Sequence, residues 1–489
     1  MSGALHAAND RSARGGSRRR VLLVASFALL LAACQGTISG DGAGTVAQAW
    51  VTTADGEKRM EPLAATWMAS PDPAGVQIIV DPADRYQTMI GMGAAFTDAS
   101  ADLIQNRLSD VARAELLEEL FSPESGLGFS FTRVVIGASD FSSAHYSLDD
   151  TPGNRPDPDL SDYTFEPMMR AVVPVVLQAR GYNPSLVVMA TPWSPPAWMK
   201  TSQSLIKGTL REDAYKPFAD YLVRAIQSFE AVGVPVEYIS LQNEPDFEPV
   251  NYPGMRLSAA QRALLISDFV GPAFEKAGLQ TKILDWDHNW DQPGQPLEVL
   301  GNDAAERYVS GVAWHCYNGD VAAQSAVRDA FPEKEVLFTE CSGGEWSAEW
   351  PDAWTWTMDR LVIGAPSNWA RGVLMWNIAL DENHGPHLGG CSDCRGVVTI
   401  DSRTGEIERN QEYYALGHFS RFVRAGATRI GTASSKESIK SVGFQNSDGS
   451  IVVIALNTSE LPEMISIGAD ESWISITLDG GAGMTMVLP

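Results

Sequence analysis

The sequence predicts an α/β protein, a (β/α)8 barrel with an appended antiparallel β-sandwich. Three observations carry that expectation. Eight short apolar runs alternate with helical patterns over roughly 300 residues. The fourth and seventh runs each end in a glutamate where a loop must begin. After residue 405 the texture changes to β-prone runs separated by Asn, Asp and Gly turns.

The N-terminus reads as an export signal. A basic stretch, "RSARGGSRRR", precedes an apolar run at 21–33 that is too short to span a bilayer as a helix. The run stops at "LAAC", which resembles a bacterial lipoprotein signal: cleavage before Cys34, then a lipid on its thiol. The alternative is an ordinary signal peptide with a cysteine after it. Residues 1–34 are thus expected to be signal, and the Gly/Thr/Ala-rich segment 35–60 a tether. Within 61–84, "AGVQIIVD" (74–81) is an N-terminal strand joining the sandwich. The barrel is placed at 85–404 and the C-terminal sandwich at 405–489.

The eight runs are "TMIGMGAAF" (88–96), "FSFTRVVIG" (129–137), "SLVVMAT" (185–191), "VEYISLQ" (236–242), "TKILDWD" (281–287), "YVSGVAWHCY" (308–317), "EVLFTE" (335–340) and "GVLMWNIA" (372–379). Being near-continuous rather than alternating, they suit parallel strands buried on both faces. Between the third and fourth runs, Phe218, Leu222, Ala225, Ile226 and Phe229 share one helix face, and Gly233 with Pro235 ends it. A second helix, 321–332, bridges the sixth and seventh runs. A doubly wound dinucleotide fold would need a third glycine where Phe96 stands in "GMGAAF", so it is set aside.

Lys and Arg number 36 against 61 Asp and Glu, a net charge of −25. That balance argues against nucleic acid or an anionic membrane surface as the main partner and fits a neutral substrate. Apart from Cys34 the cysteines are Cys316, Cys341, Cys391 and Cys394. "CSDC" suits a small-loop disulfide or free thiols, and a zinc site with His384 and His387 is the alternative. No nucleotide, flavin or haem motif is visible, and no cofactor or metal is called for.

In a barrel of this kind catalytic residues follow the strand C-termini. Glu244 of "LQNEPDF" follows the fourth strand and Glu340 of "FTECSGG" the seventh, so both carboxylates reach one mouth. A facing pair is what glycosidic bond cleavage needs: one carboxyl protonates the leaving oxygen and the other attacks the anomeric carbon. Pro245 stops the strand so that Glu244 faces the cleft, and Asn243 can bond a sugar 2-hydroxyl.

Seven segments in order, "GMGAAFTDAS", "GFSFTRVVIGASDFS", "ATPWSPPAWMKT", "LQNEPDF", "WHCYNGD", "FTECSGGEW" and "VLMWNIALDENHGP", resemble glycoside hydrolase family 30, the glucosylceramidase-like retaining β-glycosidases. The resemblance implies Glu244 as acid/base and Glu340 as nucleophile. It implies Asp98 and Trp193 on sugar hydroxyls, Asn243 at the 2-hydroxyl, Trp376 as a stacking wall and Asn377 as a neighbouring polar group. Arg133 and Tyr317 would contact Glu340, and His315 would line the mouth with the substrate-binding residues. A cation and a phenol would keep Glu340 ionised, and its charge would keep Glu244 protonated. His288 of "WDHNW" is a further cleft contact. The implied substrate is a carbohydrate or glycolipid, with glucosylceramide-like β-glucosides first. The loop "DENHGPHLGGCSDCRGVVTID" instead resembles bacterial and fungal members, some acting on β-1,6-glucan.

Overall fold

The computed structural model describes residues 46–68, 70–72, 75–469 and 472–488. The signal segment, Cys34 and the first part of the expected tether lie outside the described residues. Eight parallel strands close a barrel: Gly91–Ala95, Phe131–Ile136, Val187–Pro192, Tyr238–Ser240, Lys282–Asn289, Val309–His315, Glu335–Glu340 and Ala370–Asn377. Each pairs with its sequence neighbour, and the eighth returns to the first. The helix between the third and fourth strands is Tyr215–Ala231, with Phe218, Leu222, Ala225, Ile226 and Phe229 all buried.

Because side chains alternate across a strand, the barrel interior fills in layers. The lower layer is apolar: Ile90, Phe131, Met189, Tyr238, Leu284, Ala313, Leu337 and Leu374 form one cluster. Two residues further along the second, third, fourth, sixth and seventh strands stand Arg133, Thr191, Ser240, His315 and Thr339. These polar side chains are all buried. An apolar floor therefore carries a polar layer directly beneath the mouth.

The fifth strand breaks the alternation. Its pairing with the sixth jumps between Trp286 and His288, and Trp286 (φ 76°) and Asp287 (φ 52°) hold left-handed backbone. This is a β-bulge. Asp285 points outward to Arg262 at 2.8 Å, while Asp287 turns inward to complete the polar layer. The seventh strand shifts register between Phe338 and Glu340, and the eighth between Met375 and Asn377. Register shifts in three strands thus lie at the end that holds the polar layer.

Two expected boundaries are corrected. Residues 46–60 are not tether: Val46–Thr52 is a strand paired with both Glu61–Met68 and Gly483–Leu488. Among the described residues three N-terminal strands join six C-terminal strands in a sheet closed in hydrogen-bond order. Pairing there is antiparallel except between Val76–Thr88 and Glu463–Ala469. The barrel part also runs past residue 404, because helix Gln411–Ser420 packs on its first strand. The change in texture near 405 was a short three-stranded sheet and this helix, not yet the sandwich.

His418 of that helix joins the two parts. Its Nδ1 lies 2.8 Å from the Thr485 hydroxyl and its Nε2 2.9 Å from the Thr52 hydroxyl. The Thr485 hydroxyl donates to the His418 carbonyl, so Nδ1–H donates to Thr485 and a neutral Nε2 accepts from Thr52. Burial pushes this imidazole down to about 3. The unfolded chain binds a proton there near pH 6.5 and the folded chain does not, so this stabilisation is complete above about 6.5 and lost as pH falls toward 3. Thermal melts of His418→Gln should therefore show a shallower fall in Tm from pH 6.5 to 4 than wild type. Equal slopes would remove the histidine from the acid response.

Candidate active site

The fourth strand ends at Ser240, and Glu244 follows with φ 48°, a left-handed conformation that is unfavourable for a glutamate. The Glu244 N–H donates to the Asp287 carbonyl at 3.1 Å, so the bulge of the fifth strand holds the turn. Glu340 closes the seventh strand, in register with His315 of the sixth. His315 Nδ1 lies 3.1 Å from Glu244 Oε1 and 3.9 Å from Glu340 Oε1. These two oxygens are thus no farther apart than the sum of those distances, 7.0 Å. Such a gap admits the ~5–5.5 Å spacing of retaining glycosidases and excludes most of the ~6.5–9.5 Å inverting range.

Beneath the pair lies one connected network. Arg133 donates to Glu340 Oε2 (2.5 Å), Asp287 Oδ2 (2.6 Å) and Asn243 Oδ1 (2.9 Å). Asp287 also takes Ser240 (2.5 Å) and Thr339 (2.7 Å), and His315 Nε2 lies 3.0 Å from it. Tyr317 donates to Glu340 Oε1 at 3.0 Å. His315 has a carboxylate on each nitrogen, and only the imidazolium can donate to both. Burial alone would lower its pKa, but Glu340, Asp287 and Glu244 push it up to about 9. Burial likewise opposes ionisation of Asp287, yet Arg133 and His315 hold it well below the usual carboxylate range.

The two glutamates differ from the expected order. Burial raises Glu244, but His288, 3.4 Å away, and the hydrogen bond to His315 outweigh it and keep the carboxylate ionised. Burial raises Glu340 too, and the charges of Glu244 and Asp287 add to it against His315 and Arg133. The expectation of a protonated Glu244 overlooked the two imidazoles, which reach it from the fifth and sixth strands. Arg133 and His315 bring two positive charges against the carboxylates of Asp287, Glu244 and Glu340.

A cavity of about 990 Å³ opens above this network. Glu244, Glu340, Asn243, Trp193, Tyr317 and Trp376 line it. Trp193 and Trp376 stack at 4.8 Å, with the Arg133 guanidinium 4.8 Å from the Trp193 ring centre. Three expected contacts are placed elsewhere. His315 is fully buried under the glutamates and holds them instead of lining the mouth. Asn377 is also buried, and its Oδ1 accepts from Thr97. Asp98 is not among the residues that line the cavity and accepts from the Tyr146 hydroxyl at 2.9 Å, and Thr97 caps the helix that follows.

A different aspartate lines the cavity. Asp140 of "GASDFS" is buried, and burial together with Glu340 pushes it up to about 8. It and Asp287 were missed. Asp287 stood in a flagged cleft loop, but its inward turn depends on a bulge that leaves no sequence pattern.

The zinc alternative is overturned: Cys391 and Cys394 form a disulfide, and His384 and His387 bond the carbonyls of Cys394 and Gly389. Among the described residues, Glu244, His288 and His315 have donor atoms within 4.8 Å of one another and could hold a metal ion. His315 reaches that point only by giving up its bond to Glu244.

Asp287→Asn removes the negative charge that holds Arg133 and His315. The His315 imidazolium is favoured below about 6.5 in any state and is lost in the native site near 9. The variant should therefore lose the proton at lower pH, read by NMR, and the alkaline limb of its activity profile should move down. Unfolding free energy should fall by up to about 3–5 kcal/mol, as for a broken buried ion pair. An unmoved His315 titration would contradict the network.

Comparison with known proteins agrees with the fold. Residues 89–423 match the glycosyl hydrolase family 30 TIM-barrel domain and 426–486 its β-sandwich domain. An endo-1,6-β-D-glucanase of Neurospora crassa is 34% identical over 90% of this chain and 95% of its own length. The lysosomal acid glucosylceramidase of Mus musculus is 27% identical over 84% and 83% respectively. A solved endo-β-1,6-glucanase superposes with TM-score 0.83 at 30% identity, over 90% of this chain and 99% of that one. With both domain models matched in order, the chain belongs to glycoside hydrolase family 30.

Proposed function

We propose that this glycosidase cleaves β-1,6-linked glucan with retention, using Glu340 as nucleophile and Glu244 as acid/base. The observation that carries the reading is the pair of strand-end glutamates held by one imidazole, within 7.0 Å of each other. Glu340 attacks the anomeric carbon, with Arg133 and Tyr317 taking up charge on its oxygens. The acid proton is close by. Its shift across the 3.1 Å His315–Glu244 bond converts imidazolium and carboxylate into imidazole and carboxylic acid. A bound sugar excludes water and lowers the local dielectric, which favours that neutral pair. Glu244 then protonates the leaving oxygen and afterwards activates water to release the sugar.

The cavity supports a glucan. At about 990 Å³ it stands at the upper end of ligand sites, ~300–1,000 Å³, which leaves room for several sugar units. The Trp193–Trp376 stack offers an apolar face, while Asn243 and Asp140 offer hydroxyl partners. A second reading is a β-glucosyl lipid, favoured by the exposed apolar rim residues Phe247, Val250, Trp346 and Trp356. Export and a lipid anchor on Cys34 complete the proposal and would keep the enzyme outside the cytoplasm.

Hydrolysis of β-1,6-glucan oligosaccharides and of glucosylceramide should be measured side by side. The expected result is glucan cleavage that Glu340→Gln abolishes by several orders of magnitude. Glu244→Gln should lose about 10²–10⁴-fold on the glucan but far less on aryl glucosides, whose leaving groups need little protonation. Cleavage of the lipid alone would move the substrate to the second reading. Wild-type rates in either variant would refute the two-carboxylate assignment. In cells, Cys34→Ser should abolish incorporation of labelled fatty acid into the protein, and unchanged labelling would exclude Cys34 as the anchor.

A further inference from the structure

We propose that the disulfide between Cys316 and Cys341 is a positioning element of the catalytic site, holding Glu340 against His315 and Tyr317; this rests on the two-carboxylate reading. Cys316 sits between His315 and Tyr317 on the sixth strand's exit, and Cys341 directly follows Glu340 on the seventh. The two strands pair up to His315 and Glu340 and no further. The disulfide joins the next residue of each strand, so a covalent bond continues the pairing where the backbone ladder stops.

The local geometry makes that continuation consequential. The seventh strand slips register just before Glu340, so the last ladder contacts before the catalytic carboxyl are irregular. Tyr317 meets Glu340 at 3.0 Å from a loop whose residues 317–320 are exposed. Cys341 also accepts the Trp376 N–H at 2.8 Å, which ties the stacking wall to the same linkage. One cross-link thereby sets the relative places of the nucleophile, the phenol that donates to it and the aromatic wall. The reacting atoms need agreement to about 1 Å, and a lapse of that size costs on the order of 10²-fold in rate.

A cross-link of this kind forms in an oxidising compartment. The site then reaches full activity only once the chain has left a reducing cytoplasm. Two electrons from a reductant and two protons from water would convert the bond to two thiols and release the strand ends from each other.

The test uses the C391S/C394S background, in which Cys316–Cys341 is the reducible bond within the cavity wall. Reduction with a phosphine, followed by thiol counting, is compared with the oxidised form of the same protein. The expected result is a fall in kcat of about ten- to a hundredfold with KM changed less than about twofold. The pH–rate profile should shift because Glu340 no longer keeps its distance from His315, and reoxidation should restore both. If the folded protein resists reduction, C316A/C341A is assayed below its own melting temperature instead. An unchanged kcat and pH profile with both thiols free would overturn the proposal. So would a loss that merely tracks the unfolded fraction by circular dichroism. Failure of the oxidised enzyme to cleave any β-glycoside would instead refute the functional reading.

Discussion

The buried pairing of Arg133 with Asp287 is the constraint around which the mouth is built. Taking either charge from water is costly, and the barrel interior meets that cost only by satisfying every donor and acceptor. Thr339 and Ser240 bond Asp287, and Asn243 and Glu340 take the remaining arms of Arg133. His315 completes the circuit by reaching both Asp287 and Glu244. A rearrangement of any member leaves a buried charge unpaired, so the catalytic carboxylates inherit the rigidity of the pair below them.

That rigidity is joined to local strain. Glu244, Trp286 and Asp287 all adopt left-handed backbone, and three strands slip register at this end of the barrel. A regular barrel would send Asp287 to the outer face. The bulge turns it inward, and the Asp287 carbonyl then holds the Glu244 N–H. Strain and charge therefore act on the same few residues: the distortion of the fifth strand is what brings the counter-charge under the fourth.

The protonation of the site is set by its neighbours: His315 and Glu244 hold each other charged, while burial and the charges of Glu244 and Asp287 push Glu340 up. With the imidazole between the two glutamates, a proton can move from His315 to Glu244 without a new group entering. Double displacement asks the same carboxyl to act first as acid and then as base. A neighbour able to take the proton back suits that alternation.

Much of this was legible in the sequence, because strands and their ends are local. Continuous Val/Ile/Leu runs marked eight buried strands, and a carboxylate before a strand breaker marked Glu244 and, by the same logic, Glu340. Asn243 came from its place beside Glu244, while Trp193, Trp376 and Tyr317 came from the resemblance to the family. Tertiary structure alone decided what depends on distant partners. Cys316 found Cys341, 25 residues on, only because adjacent barrel strands bring them together. Asp98 and Asp140 are both acids at strand exits, and which one faces the cavity depends on where Tyr146 lies and on the strand-eight loop packed against Asp140. Asp287 turned inward through a bulge, and Val46–Thr52, beside its near neighbour Glu61–Met68, pairs with Gly483–Leu488 from the far end of the chain. Composition and periodicity report on neighbours in sequence. The charge state of a buried cluster and the register of a closed sheet are set by neighbours in space.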